Sequence, residues 1–363
     1  TVSRHLERDG VLVQWVQLYE IDIKQVASIL RALGTVFGDY ALYNMGGTDM
    51  LIVAKMQAKL PAPAPHVFDS PVLREEMARI GINSVEDIHA RRVAGRRLIE
   101  PLVLSTRMPP NSDYFPVVDT TAAQARFMKA DTELLAGLAD APLPIVLMLD
   151  PPGYPYYGPR QSFAPRKHNL SARARAELIR EQVLNQRTDP MLSQNTRHAI
   201  GVLDDYAKSC ASNGLSARWT AYLARVGMML AGQLNLQEFE AVVDRWVPNR
   251  CRASLTPIQQ NWLNLLRAVA AHDANAMVAK AGELLKAEEA FGQPAEFHFA
   301  LGAYALGALA NGEPQLMESA WKEYRDTITR WGEKPYYLRW LEVLHESPRE
   351  SRRPFCLSQA VTA

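Results

Sequence analysis

A chain of 363 residues with 40 Lys and Arg against 39 Asp and Glu carries no net field that would draw it to nucleic acid or to an anionic membrane. Its length allows about two domains of ordinary size. Cys210, Cys251 and Cys356 have no CxxC or Cys/His spacing, so they predict reduced thiols rather than a disulfide framework or a zinc site. No apolar run approaches the roughly 20 residues that span a bilayer, so a soluble, cytoplasmic chain is expected.

Val2 to Arg8 reads as the tail of a helix begun further upstream, so a longer parent is expected. Val11 to Val16 is a short apolar run with almost no alternation, which predicts a strand covered on both faces. Asp22 can cap the next helix, whose apolar stripe is Val26, Ile29, Leu30, Leu33 and Phe37, with Gly38 as its stop. Tyr40 to Tyr43 and Met50 to Ala54 read as two antiparallel strands joined by a glycine-bearing connection from Asn44 to Asp49. The order is strand, helix, strand, strand. In an open α/β sheet, ligands bind beyond the carboxyl ends of the strands, and the residues leaving the first strand are Gln14, Gln17, Tyr19 and Glu20. Carboxylates and amides there suit a cationic amine.

Three segments carry a resemblance to the spermidine synthase family, in particular its branch often fused behind membrane-spanning segments. They are GVLVQWVQLYE (10–20), LRALGTVFGDYALYNMGGTDMLIVA (30–54) and the run Asn111-Ser112-Asp113-Tyr114-Phe115-Pro116. The resemblance implies an α/β remnant: the C-terminal part of a class I methyltransferase-like sheet, in a parent that moves an aminopropyl group from decarboxylated S-adenosylmethionine to a polyamine-type amine. It also implies that Gln14 or Gln17 lines the polyamine pocket, beside Tyr19 and Glu20. Asp113, Pro116 and Asp119 fit the family's pattern, whereas Ser112 and Tyr114 depart from it. The family's proline-tyrosine-proline loop is absent between Asn44 and Asp49. Its glycine-rich loop, ribose-binding acid and catalytic aspartate lie upstream of Thr1, so no cofactor is expected in this chain itself. A fused parent makes the cytoplasmic portion of a membrane-anchored protein the alternative location.

With residues 1–58 as the remnant, residues 59–140 are expected to pack on it as a helical and extended extension. Pro61, Pro63, Pro65 and Pro71 mark the exit from the sheet. Helix is predicted from Val72 to Leu104, broken at Gly81-Ile82-Asn83 and restarted at Ser84. Arg91, Arg92, Arg96 and Arg97 cluster there, and without interleaved aromatics they predict a solvated helix face rather than a nucleic-acid footprint. The stretch from Pro110 to Asp119 is expected to be extended and to return to the sheet's rim.

Residues 141–169 form a proline-rich connector. Ile145 to Leu149 followed by Asp150-Pro151-Pro152 resembles a strand ending in the motif by which amino-methyltransferases hold a base amine. Gly153 stands in the aromatic position and no glycine-rich turn precedes it, so Asp150 is expected to be structural, with Tyr154, Tyr156 and Tyr157 packing on a neighbouring domain.

Residues 170–347 read as an α-helical, repeat-like domain, with helix starts at Ser216, Thr256 and Pro294 recurring about every 40 residues. Thr256-Pro257-Ile258-Gln259 is a capping box, followed by a stripe of Ile258, Trp262, Leu265, Leu266 and Val269. Met277, Ala281, Leu284 and Leu285 form the stripe of its partner. Such hairpins must stack to bury their faces, as tetratricopeptide-like repeats do, and could take a protein partner; a compact irregular helical domain is the alternative. The tryptophans from Trp219 to Trp340 are expected in the core, and His298 as a hydrogen-bonded core residue rather than a metal ligand. Residues 348–363 are a tail. Two function classes follow: part of an aminopropyltransferase-like enzyme, or a non-catalytic interaction module. An unpaired apolar edge on the first strand would make the chain a homo-oligomer unless other elements cover it.

Overall fold

Strands β1 (Val11–Gln17), β2 (Asp39–Asn44), β3 (Asp49–Lys55) and β4 (Arg92–Gly95) form one sheet in the order β1-β3-β2-β4. The computed structural model describes residues 2–7, 9–45, 49–56, 59–80, 82–89, 91–130, 132, 135, 137–150, 172–210 and 216–346. Every paired neighbour is antiparallel, so β1 and β2 point the same way with β3 inserted between them. Asp22 opens the Ile23–Gly34 helix with a reciprocal box: its carboxylate accepts from the Gln25 amide and Gln25 Oε1 accepts from the Asp22 amide, each at 2.9 Å. Val26 and Leu30 are buried, and the helix packs on Arg96–Ser105 and Val117–Phe127. The helix ends at Gly34 with Thr35 as cap, short of Gly38, and Phe37 is buried from the turn that follows.

β1 departs from the expected double cover. Among the described residues it is an edge strand, and Val11, Val13 and Trp15 on its outer face are 41%, 53% and 51% exposed. An uninterrupted apolar run specifies a surface able to be buried, but neighbours decide whether it is. β4 lies inside the stretch expected to be helix. Val93 and Ala94 are fully buried there, and pairing with β2 outweighs the helical pattern around them.

The arginines on this stretch are not a solvated face. Arg91 is buried and donates to the Ile80 carbonyl at 3.0 Å. Arg96 donates to the carbonyls of Phe37 and Gly38, pairs with Glu100 at 3.0 Å and lies over the Tyr40 ring. Arg96 ties the helix Arg96–Ser105 to the turn that enters β2, Arg91 holds the end of the Pro71–Arg79 helix, and Arg97 alone of the four is exposed.

The stretch from Pro110 to Asp119 does not run extended to the sheet's rim. Asn111 bonds to the Ser28 carbonyl, Ser28 to the Pro109 carbonyl and Arg31 to the Met108 carbonyl, so this stretch lies along the Ile23–Gly34 helix. Tyr114 is 92% exposed in a turn closed between Ser112 and Phe115, and Val117–Phe127 is helical.

Ile145–Leu149 is a short helix rather than a strand. Ala141, Leu143 and Ile145 are buried, so the beginning of the expected connector belongs to the core. Gly232 meets it closely: a Cβ there would collide with the Pro142 carbonyl, and Gln233 Nε2 donates to the Ala141 carbonyl at 2.8 Å. The connector's tyrosines, the 348–363 tail and Cys356 lie outside the described residues.

Beyond residue 171 the described chain is helical, and the expected starts hold: Ser216–Ala231, Pro257–Ala270 and Pro294–Ala310, each followed by a shorter partner. Thr256 Oγ1 accepts from the Gln259 amide at 3.3 Å while Gln259 Oε1 accepts from Thr256 at 2.9 Å. Asn235 builds the same box on Leu236–Trp246. Pro294–Ala310 is buried on nearly all sides, from Phe297 and Leu301 to Leu306 and Ala308. It is a central helix, buried all round rather than along a single apolar stripe.

The last described helix, Tyr336–Glu346, packs back on Arg96–Ser105, and Tyr336 Oη donates to the Gly137 carbonyl at 2.7 Å. Buried residues of the sheet, of 135–145 and of the helices form one continuous apolar cluster. Cys210 and Cys251, expected as thiols, are joined in a disulfide across a sequence separation of 41, with their Cα atoms 4.8 Å apart. Hairpin packing brings them together, and spacing in sequence carries no sign of it. Among the described residues, no helix is long and apolar enough to cross a membrane.

Candidate functional site

The exit of β1 carries the four residues singled out for an amine. Alternation along the strand sends Gln14 and Gln17 to opposite faces of the sheet. Gln14 sits mid-strand, exposed, its Nε2 donating to the carbonyl of Trp15 at 2.8 Å. Gln17 is at the strand end, where its Nε2 donates to the Tyr19 carbonyl at 3.2 Å and leaves Oε1 for another donor. Tyr19 is 43% exposed. Glu20 pairs with Arg126 at 3.1 Å on the surface, a contact worth little by itself. Gln17, Tyr19 and Glu20 therefore share one rim, and Gln14 stands apart from it.

Two features make this exit more than a loop. Glu20 has a φ of 55°, and among the described residues the other non-glycines in the left-handed region (Arg107, Lys129, Gln186, Cys210 and His272) each follow the end of a helix. Glu20 alone holds it between a strand and a helix, at a cost on the order of 1 kcal/mol. The second feature is Thr132, a buried residue whose amide and hydroxyl both reach the Leu18 carbonyl, with the hydroxyl also reaching Ile21 at 3.1 Å. Leu18 and Ile21 are buried beneath it. The turn is thus fixed from behind while its polar side chains face out. Nothing in the sequence around Thr132 marks it, because its partners are carbonyls more than a hundred residues away.

Asp150 has a different setting. Its Oδ2 accepts from Arg92 Nη2 at 2.8 Å and from the Gly95 amide, and its carbonyl accepts from Arg92 Nη1 at 3.0 Å. A Cβ on Gly95 would stand 2.7 Å from that same oxygen, so glycine is required for the approach. Burial pushes the Asp150 carboxyl above its ordinary range, with Arg92 and the Gly95 amide pulling it back. These contacts occupy the carboxylate in holding β4 to the end of Ile145–Leu149.

His298 lies in the core between Phe297 and Phe299, and its Nε2 has no hydrogen-bond partner. Among the described residues no cluster of His, Cys, Asp and Glu could hold a metal ion. Burial lowers the His298 pKa from 6.5. The unfolded chain then binds the proton more readily, so stability is lost as the pH falls through 6.5 and onward through the lower folded value. The loss of stability between pH 7 and pH 5, followed by urea unfolding, is expected to shrink in His298→Leu. Equal losses in the two proteins would show that the ring protonates freely in the fold.

The fold and the rim define a mostly helical chain built around a small antiparallel sheet. No protein-family model, curated protein or solved structure matches the chain.

Proposed function

We propose that the chain is the C-terminal portion of a spermidine synthase-like protein, and that Gln17, Tyr19 and Glu20 form the amine-facing side of a polyamine pocket completed by upstream strands. The uncovered side of β1 carries this reading. Val11, Val13 and Trp15 expose an apolar face on an edge strand, a surface that natural sheets normally pair or cover. Further strands beside β1 would pair its open edge, the crossover segments joining them would cover that face, and together they would bring a cofactor to the strand ends next to Gln17. Decarboxylated S-adenosylmethionine is the cofactor the resemblance implies for the parent, and the part of the sheet that would grip it is not among β1 to β4. Gln17 Oε1 and the Glu20 carboxylate supply acceptors for a cationic amine.

Calorimetric titration tests this reading in two arms. Putrescine and spermidine are expected to bind weakly and to lose about tenfold in affinity in Gln17→Leu, the scale of one charge-assisted hydrogen bond. Decarboxylated S-adenosylmethionine is expected not to bind the chain alone. Polyamine binding indifferent to Gln17 and Glu20 would remove the pocket from this rim, and micromolar cofactor binding would put the cofactor site inside the chain.

A second reading, a protein-interaction module, draws on the consecutive packing of Pro257–Ala270, Ala274–Leu285, Pro294–Ala310 and Pro314–Glu323. That order is the one in which tetratricopeptide-like hairpins stack.

A further inference from the structure

Val11, Val13 and Trp15 are not the only apolar side chains left outside. The helix Pro71–Arg79 carries Leu73, Met77 and the cap residue Ile80 at i, i+4 and i+7 with Val72 beside them, and Arg74, Glu75 and Arg79 on its other side. None of its residues is buried. Val72, Leu73 and Ile80 are 70%, 52% and 51% exposed, and among the described elements the helix's main neighbour is the short turn Pro65–Asp69 just before it. Ser70 and Pro71 give it a proper start, but isolated helices shorter than about 12 residues are marginal in water. A stripe that buries nothing on so short a helix calls for a surface to lie on.

That surface is not the helix's own sheet. The segment is anchored at both ends away from β1: the Leu60 amide donates to Asp39 Oδ2 at the start of β2 at 2.8 Å, and the Ile80 carbonyl accepts from Arg91, next to β4, at 3.0 Å. With both bonds made, Val11, Val13 and Trp15 stay open. They share their face with Val53 and Leu51, which stand directly opposite Val13 and Trp15 on β3 and are half-buried. From Val11 to Trp15 this apolar run is about 14 Å long, and so is the helix. A second copy can bring the two together without breaking either anchor.

We propose that the chain pairs with a second copy about a two-fold axis, the Pro71–Arg79 helix of each copy lying on the β1–β3 face of the other. Such an interface is isologous, so both contacts form at once and the assembly closes at two. Area favours this pairing. Burying the exposed parts of Val72, Leu73, Ile80, Val11, Val13 and Trp15 removes about 600 Å² in each contact and about 1,200 Å² in the pair, above the roughly 1,000 Å² that a stable interface needs. Helix on helix alone would bury about half of that and fall short. The crossover segments proposed for the parent would take the same face, so the dimer belongs to the chain without them.

The test is sedimentation equilibrium of the whole chain at micromolar concentrations, where twice the mass of one chain is expected. Leu73→Glu and Val13→Lys each place a charge in both contacts and are expected to weaken dimerisation by about a hundredfold or more. Both positions are exposed, so far-UV circular dichroism close to that of the unaltered chain should show that the variants fold. Mixed in equal amounts, the two variants are expected to recover dimers that neither forms alone. A mixed pair keeps one contact unaltered and, in the other, opposes the introduced carboxylate to the introduced ammonium. Competing pairings give other patterns: helix on helix is insensitive to Val13→Lys, and β1 beside β1 is insensitive to Leu73→Glu. A monomeric chain, an assembly larger than two, a dimer that survives either change, or variants that stay monomeric when mixed would overturn the proposal. Gln17 is untouched by these variants, so this result and the polyamine result fail independently.

Discussion

Opening the Cys210–Cys251 bond is expected to lower the free energy of unfolding by about 4 kcal/mol, the chain-entropy value for a loop of this length. For a chain of this size that is a fall in melting temperature of about 5 °C if the molecule unfolds as one unit. Cys251 is fully buried and Cys210 closes the Gln194–Ser209 helix in a left-handed conformation, so both ends of the link are held by the fold. Melting with and without dithiothreitol, and in Cys210→Ala, checks it. The variant and the reduced protein should melt together, below the oxidised protein. Quantitative titration of both thiols in the untreated native chain would show that the bond does not form. Disulfides persist mainly in oxidising compartments, so the same titration on protein taken from its own cell bears on the cytoplasmic location expected from composition.

Asp150→Ala is expected to cost about 3 kcal/mol, the scale for breaking a buried ion pair by removing one partner. The loss has two parts: Arg92 keeps its charge in a site where its side chain is 12% exposed, and the Gly95 amide loses its acceptor. Asp150→Asn retains an acceptor for that amide and should cost clearly less. Replacing both partners, in Arg92→Leu with Asp150→Leu, should also cost less than Asp150→Ala alone, because no charge is then left buried. Denaturant unfolding of the three variants gives the comparison. A cost below about 1 kcal/mol for Asp150→Ala would mean that the pair is solvated and does not hold β4 in place. Any transfer chemistry at the β1 rim should be indifferent to Asp150 once the protein is kept folded.

Local chemistry was readable wherever it stayed local. Asp22 with Gln25 and Thr256 with Gln259 are capping boxes complete within four residues, and both form. The stripe from Trp262 to Val269 names its own buried side, and Trp262, Leu265, Leu266 and Val269 are buried. Failures came where a segment's fate rests on a distant partner. Val93 and Ala94 read as helix until β2 is placed beside them, and Ile145 to Leu149 read as strand until the core takes Ile145 from a helical turn. The arginines near residue 91 looked solvated because the carbonyls and carboxylates that hold them are up to 59 residues away.

The candidate rim divides in the same way. The sequence by itself determined that amides and a carboxylate follow an apolar strand, and that the second half is helical and stacked. Only the tertiary structure decided that Gln14 faces away from Gln17, that Thr132 pins the turn, that β1 is an edge, and that Cys210 meets Cys251. The physical reason is range. Caps, stripes and alternation are set by backbone geometry within a few residues, whereas pairing, burial of charge and disulfide closure depend on which surfaces meet once the loops between them have closed.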